Sequence, residues 1–208
     1  MKRLLEGLVI GKMSGPSPSF SVVHLIKALG LIAGKPIGRN KLSQSLAIGE
    51  GATRTLIERL RLAGLITVDR KGCTLSKKGA RLWRDMQRFL PRKAVLGRSG
   101  LALAEFNVAV LVKGHGSKVK LGMEQRDAAL MIGAKGATTL VFKDGKLVIP
   151  PDNRSVAEDF PEIHKQLVNS LQPEENDVVV IGSADTLEQA EYGALAAAWI
   201  LIDDQEPC

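Results

Sequence analysis

Between Arg39 and Gly79 the chain reads RNKLSQSLAIGEGATRTLIERLRLAGLITVDRKGCTLSKKG, and this stretch leaves few folds open. Leu42, Leu46 and Ile48 give a short helix one inward side, and Gly49-Glu50-Gly51 then turns the chain. The next helix is expected from about Ala52 to Ala63. At about 100° per residue Leu56, Leu60, Ala63 and Ala52 fall on a single apolar stripe. Leu65, Thr67 and Asp69 then alternate with Ile66, Val68 and Arg70, as a strand requires. Arg70-Lys71-Gly72 makes a tight turn and Cys73-Thr74-Leu75 returns. A further helix runs from Lys77 to Leu90 and ends at Pro91. Upstream, GKMSGPSPSF (11–20) is a breaker-rich segment that offers Ser19 or Ser21 as a helix cap. Val22, Val23, Ile26, Leu29 and Ile32 then recur at helical spacing over 20–33. His24 lies beside that face and reads as a structural histidine.

Helix, helix-turn-helix, β-hairpin, helix is the order of a winged helix-turn-helix domain. With its hairpin and LSKKG, the stretch resembles the winged-helix DNA-binding domains of bacterial and archaeal transcription regulators. It is similar in particular to the N-terminal domain of the central glycolytic gene regulator, over residues 20–90. The whole chain resembles an uncharacterised archaeal family in which such a domain precedes a small α/β domain. The resemblance implies a double-stranded DNA partner.

Charge divides along the same line. Residues 1–99 hold 20 Lys+Arg against 5 Asp+Glu, a net of +15, whereas residues 100–208 hold 9 against 17, a net of −8. A basic nucleic-acid module joined to an acidic globular partner has this pattern. On the third helix Arg54, Thr55, Glu58 and Arg61 face away from the stripe, and Arg59 flanks it. Arginine can contact guanine through two hydrogen bonds, and threonine can meet a base edge or a phosphate. Glu58 either accepts from cytosine or orients Arg54 and Arg61 one turn away. Gly51 lets backbone amides approach a phosphate. Arg39, Asn40 and Lys41 open the preceding helix, where phosphate contact is usual, and Arg70 and Lys71 on the hairpin tip reach a neighbouring groove. RNA is disfavoured, because five Phe, two Trp and one Tyr make no stacking platform.

The acidic half has its own order. EFNVAVLVKG (105–114) is a buried strand and GMEQRDAALMIGA (122–134) a helix. ATTLVFKDGKLVIPP (137–151) is a hairpin around Asp144-Gly145. FPEIHKQLVNSL (160–171) is helical, NDVVVIGSAD (176–185) a strand, and TLEQAEYGALAAAWILI (186–202) a helix. The expected fold is therefore α+β: a winged helix-turn-helix over 1–92, then a small α/β sandwich with a mixed sheet over 102–208, joined by PRKAVLGRSG. The small residues of the last helix suit either a helix covering the sheet or a dimer contact, with the first preferred.

Two places there are candidates for a ligand. Lys113, Gly114, His115, Gly116, Ser117 and Lys118, with Lys120 just beyond, follow a strand and suit a small anionic effector bearing phosphate or carboxylate. The alternatives are a surface loop, lysines that neutralise acidic neighbours, or an extension of the DNA-contacting surface. Gly182, Ser183 and Asp185 also end a strand, where Ser183 or Asp185 capping the next helix is the simpler reading. Glu124, Arg126 and Asp127 are explained by ion pairs along a helix.

Other classes are set aside. No paired metal ligands, nucleophile elbow or triad spacing is present, so neither an enzyme nor a cofactor is expected. Cys73 and Cys208 read as reduced thiols. Gly193–Ile202 is about half a membrane span, and Met1–Met13 lacks a signal-peptide cleavage site, so a cytoplasmic protein without membrane contact is expected. The reading is a DNA-binding transcriptional regulator, acting as a homodimer, with a C-terminal domain for ligand sensing or dimerisation. The runner-up is a small-molecule-binding protein or enzyme whose winged helix makes protein contacts.

Overall fold

The computed structural model describes residues 1–10, 18–102 and 104–203. The breaker-rich segment 11–17 and the terminal Cys208 thus lie outside the described residues. The chain divides into two units, Met1–Met86 and Gln87–Cys208. Among the described residues no helix is long and apolar enough to cross a membrane.

The first unit contains α1 (Lys2–Ile10), α2 (Val22–Gly34), α3 (Arg39–Leu46), α4 (Glu50–Leu62), the hairpin β1 (Ile66–Asp69) and β2 (Gly72–Leu75), and most of α5 (Lys77–Phe89). α2 is its central helix, with Val23, Leu25, Ile26, Ala28, Leu29 and Ile32 buried. Its start is fixed by Ser21, whose backbone N–H donates to Nδ1 of His24 at 3.0 Å. His24 is buried, and desolvation together with the charge of Lys27 lowers its pKa from 6.5 to about 4. On α4, Leu56 and Leu60 are fully buried, as the stripe requires, while Ala52 and Ala63 are half-buried and Thr53 joins the core.

α1 has no counterpart in the sequence expectations. It buries Leu5, and its last carbonyls, of Leu8 and Val9, accept from Nη1 of Arg59 at 2.7 and 2.6 Å. A cation at a helix C-terminus is favourably placed, so Arg59 is a structural residue. Its guanidinium also lies 5.4 Å from the Phe20 ring centroid. α5 packs closely on both neighbours. A Cβ at Gly79 would stand 1.9 Å from the Leu65 carbonyl oxygen, and one at Gly30 would stand 2.9 Å from the Trp83 ring.

The second unit is a six-stranded sheet in the order β3-β4-β8-β5-β6-β7. The strands are β3 (Lys93–Leu96), β4 (Phe106–Val112), β5 (Gly136–Lys143), β6 (Lys146–Ile149), β7 (Arg154–Ser155) and β8 (Val178–Ala184). The helices are α6 (Met123–Met131), the single turn α7 (Val156–Asp159), α8 (Pro161–Leu171) and α9 (Leu187–Leu201). α8 packs on one face through Ile163, Leu167 and Leu171, against Ala109, Leu111, Val179 and Ile181. α9 covers the other face, with α6 beside it on β5. β4 and β8 are therefore buried on both faces, which accounts for their unbroken apolar runs.

The α/β sandwich stands, but its sheet is antiparallel at every described pairing rather than mixed. β4, α6 and β5 do form a β-α-β unit, and its two strands run the same way. β8 inserts between them and opposes both, so no parallel pair forms. The expected connector is also partly structured, because β3 lies within PRKAVLGRSG and forms an edge of this sheet. The hairpin around Asp144 and Gly145 has the two positive φ values, 50° and 75°, of a two-residue turn.

α9 lies close on β8 because Gly182 has no side chain. A Cβ there would stand 2.3 Å from the Ala190 carbonyl oxygen and 2.4 Å from the Ala194 nitrogen. A Cβ at Gly193 would likewise stand 2.6 Å from Ala134 of the segment after α6. Gly182→Ala should therefore destabilise the chain by about 1–3 kcal/mol in urea unfolding. Gly97→Ala, which meets nothing within 4 Å, should stay within about 0.5 kcal/mol. Equal midpoints for the two variants would contradict this packing. His24 makes a second prediction. Its folded pKa is depressed, so its stabilisation is fully present above pH 6.5 and is lost as pH falls toward 4. His24→Gln should flatten the fall in unfolding midpoint across that window and leave the slope above pH 7 unchanged.

Candidate nucleic-acid interface

The hairpin is tied to the start of α3 by main-chain pairing. Ile37 N–H donates to the Cys73 carbonyl at 3.2 Å, and Cys73 N–H donates to the Ile37 carbonyl at 2.8 Å. Gly72 permits this approach. It sits at φ 118°, and a Cβ there would meet the Ile37 carbonyl group at 2.6 Å. Asp69 closes the hairpin turn by accepting the Lys71 N–H at 2.7 Å.

A cleft of about 390 Å³ results, walled by α3, α4 and the hairpin. Arg39, Arg54, Glu58, Arg70 and Lys71 all line it, with Ile57 and Val68 as its apolar floor. Asn40, Lys41, Gly51, Thr55 and Arg61 are exposed on α3 and α4 but do not line it. Thr55 Oγ1 donates to the Gly51 carbonyl at 3.1 Å, which leaves its lone pairs open. α3 and α4 begin at Gly38 and Gly49, neither capped by a side chain, so both helix starts keep outward backbone N–H groups.

Glu58 accepts from Arg61 through Nε at 3.0 Å and Nη2 at 2.7 Å. That pairing holds the Glu58 carboxyl below the usual range and raises the Arg61 guanidinium. The orienting role expected of Glu58 is therefore seen toward Arg61. Arg54, like Arg39 and Arg70 on the same cleft, has no carboxylate partner among the described residues. Ile57, Val68 and Asp69 were missed by sequence reasoning. Ile57 flanks the inward stripe, and Val68 stands 51 % exposed on a strand where it would ordinarily be buried.

The anion-suited loop in the second unit is held from within. Asp177, 1 % exposed, accepts from Gly114 N–H at 2.8 Å, Glu174 N–H at 2.7 Å and the Lys113 ammonium at 2.8 Å. Burial lowers the Lys113 pKa, but the hydrogen bonds to Asp177 and Glu174 outweigh it and leave the ammonium above its ordinary value. Asn176 accepts from Ser117 N–H at 2.8 Å and donates to the Gly114 carbonyl at 3.0 Å. Gly116 N–H donates to the Asn176 carbonyl at 2.7 Å. His115 is buried, with Nδ1 on the Lys113 carbonyl and its ring edge-on to Phe89, and Lys118 pairs with Asp203. These contacts match the alternative in which the lysines neutralise acidic neighbours, and the ammonium groups of Lys113 and Lys118 and the backbone N–H groups of Gly114, Gly116 and Ser117 are occupied. Ser183 and Asp185 are corrected too. Ser183 donates to Asn107 within the sheet and Asp185 pairs with Lys135, while Thr186 caps α9 by accepting Gln189 N–H at 3.2 Å.

The arrangement defines a two-unit protein, a winged helix-turn-helix followed by an α/β sandwich. Residues 24–81 match the PH0730-like N-terminal domain, and residues 103–201 match a domain of unknown function, DUF4443. The structure of hypothetical protein PH0730 from Pyrococcus horikoshii OT3 superposes with a TM-score of 0.72 at 30% identity, covering 88% of this chain and 93% of that one. The chain belongs to the PH0730-like family. No curated protein matches it.

Gly72→Ala should separate the hairpin from α3 through both the positive φ and the Ile37 clash. Stability should fall by about 1–3 kcal/mol. Amide exchange should accelerate at Ile37 and Cys73 ahead of Leu56 and Leu60, and uniform acceleration would argue against a local hinge.

Proposed function

We propose that this chain is a DNA-binding transcriptional regulator that reads double-stranded DNA with its winged helix and acts as a homodimer. The observation that carries the reading is Arg54, free of carboxylates, facing a cleft whose other charged walls include Arg39, Arg70 and Lys71. Arg54 suits a guanine edge, Ile57 and Val68 suit a thymine methyl, and Arg39, Lys41, Arg70 and Lys71 suit phosphates. The outward N–H groups at the starts of α3 and α4 add to phosphate contact. One winged helix spans only a few base pairs, so two copies on one duplex gain affinity and register. The second unit serves sensing or dimerisation. In this reading the protein is not an enzyme and works in the cytoplasm.

Gel shifts on genomic fragments across a salt series test the proposal, because neutralised phosphates make affinity fall steeply with salt. Arg54→Ala should cost about 1–3 kcal/mol and relax base preference. Lys71→Ala should weaken all sequences alike and reduce the salt slope by about 1. Identical, sequence-blind losses would show that Arg54 reads no base, and no shift at low salt would favour a winged helix used for protein contacts. Light scattering should give a dimer on DNA.

A further inference from the structure

We infer that the cleft between α6 and the end of α9 binds a small zwitterion with an apolar side chain, of the α-amino acid type. The cleft is about 530 Å³, within the range of small-molecule sites. Gln125, on its wall, is only 3 % exposed, and its Oε1 has no hydrogen-bond partner among the described residues. Thr139 Oγ1 is a second such atom, and it lies under the same end of α6: a Cβ at Gly122 would stand 3.5 Å from it. A buried acceptor left unpaired is costly, and a ligand N–H donor in the cleft would satisfy Gln125 Oε1.

The charges at the mouth narrow the chemistry. Lys118 is engaged with Asp203, but Lys120 is exposed and has no carboxylate partner among the described residues. Glu124 and Asp127 stand on the same wall. A plain anion would be met by two carboxylates, and a plain amine would leave Lys120 unused. A molecule with a carboxylate at Lys120 and an ammonium toward Gln125 and Glu124 suits both. Its side chain would cover apolar surface that is otherwise wet: Met131 is 90 % exposed and Ile200 is 40 % exposed. This site shares only Lys118 with the loop 113–118, and the inference does not depend on DNA binding.

Calorimetry on the full-length chain without DNA tests it, so its outcome is separate from that of the gel shifts. The probes are L-leucine and L-methionine, with isopentylamine, 4-methylpentanoate and inorganic phosphate as controls. Saturable binding of one amino acid is expected, at least tenfold weaker when either charged end is missing. Lys120→Ala should weaken it at least tenfold. Gln125→Met should do the same while raising the melting temperature of the ligand-free chain; if that variant does not fold, the exposed Lys120→Ala decides. Phosphate binding more tightly than both amino acids, no binding of either amino acid, or unchanged affinity in Lys120→Ala overturns the inference. A ligand-free dimer that Met131→Asp dissociates also overturns it, by assigning the surface to a second copy.

Discussion

Two main-chain hydrogen bonds between Ile37 and Cys73 decide whether the basic residues of the first unit form a site. Without them the hairpin would be held only by side-chain packing of β1 on α4 and β2 on α2, with its tip free of α3. With them, Arg70 and Lys71 are held opposite Arg39 and Arg54 across one cleft. The pairing in turn depends on the missing side chain of Gly72, since any Cβ there would meet the Ile37 carbonyl. A conformational requirement at a single residue thus organises charges that are thirty residues apart in sequence.

Much of the fold was legible because periodicity reports burial. α4 follows from leucine spacing, the end of α5 from Pro91, and β4 and β8 from apolar runs. Pairing was not legible. Val108 and Val180 look alike whether their strands run parallel or antiparallel, so the insertion of β8 between β4 and β5 left no trace in either segment. β3 escaped because four residues after a proline, one of them Lys93, carry no period long enough to count. α1 escaped for a different reason: its fixing contact is Arg59, about fifty residues away, and no local pattern announces a long-range cap.

The candidate site was half legible, and the division has a physical cause. Composition says where cations are, not whether they are occupied. Lys113 and Lys118 looked like an anion site and are held by Asp177 and Asp203. Arg59 and Arg61 sit on the same helix as Arg54 and are likewise engaged, by α1 and by Glu58. The cleft's apolar floor was invisible for the complementary reason, since Ile57 and Val68 are the residue types a reader assigns to a core.

The segregation of charge along the chain is what leaves Arg54 free. Only five acidic residues occur before residue 100, and the structure gives several of them local work. Glu58 pairs with Arg61, Asp69 closes the hairpin turn, and Glu50 sits in the first turn of α4, where a negative charge favours the helix. Both carboxylates that line the cleft, Glu58 and Asp69, are engaged elsewhere and neither pairs with Arg54, whereas in the acid-rich second unit Lys113 found two. Screening shortens the reach of exposed charges to roughly 8–10 Å at physiological salt, so the net charge of a whole half says less than its local supply of counter-charges. In the first unit that supply is taken up by Arg61 and by the hairpin turn, and none of it pairs with Arg54. A cation left in that state gains most from a partner that brings its own negative charge, and the polyanionic backbone of DNA is such a partner.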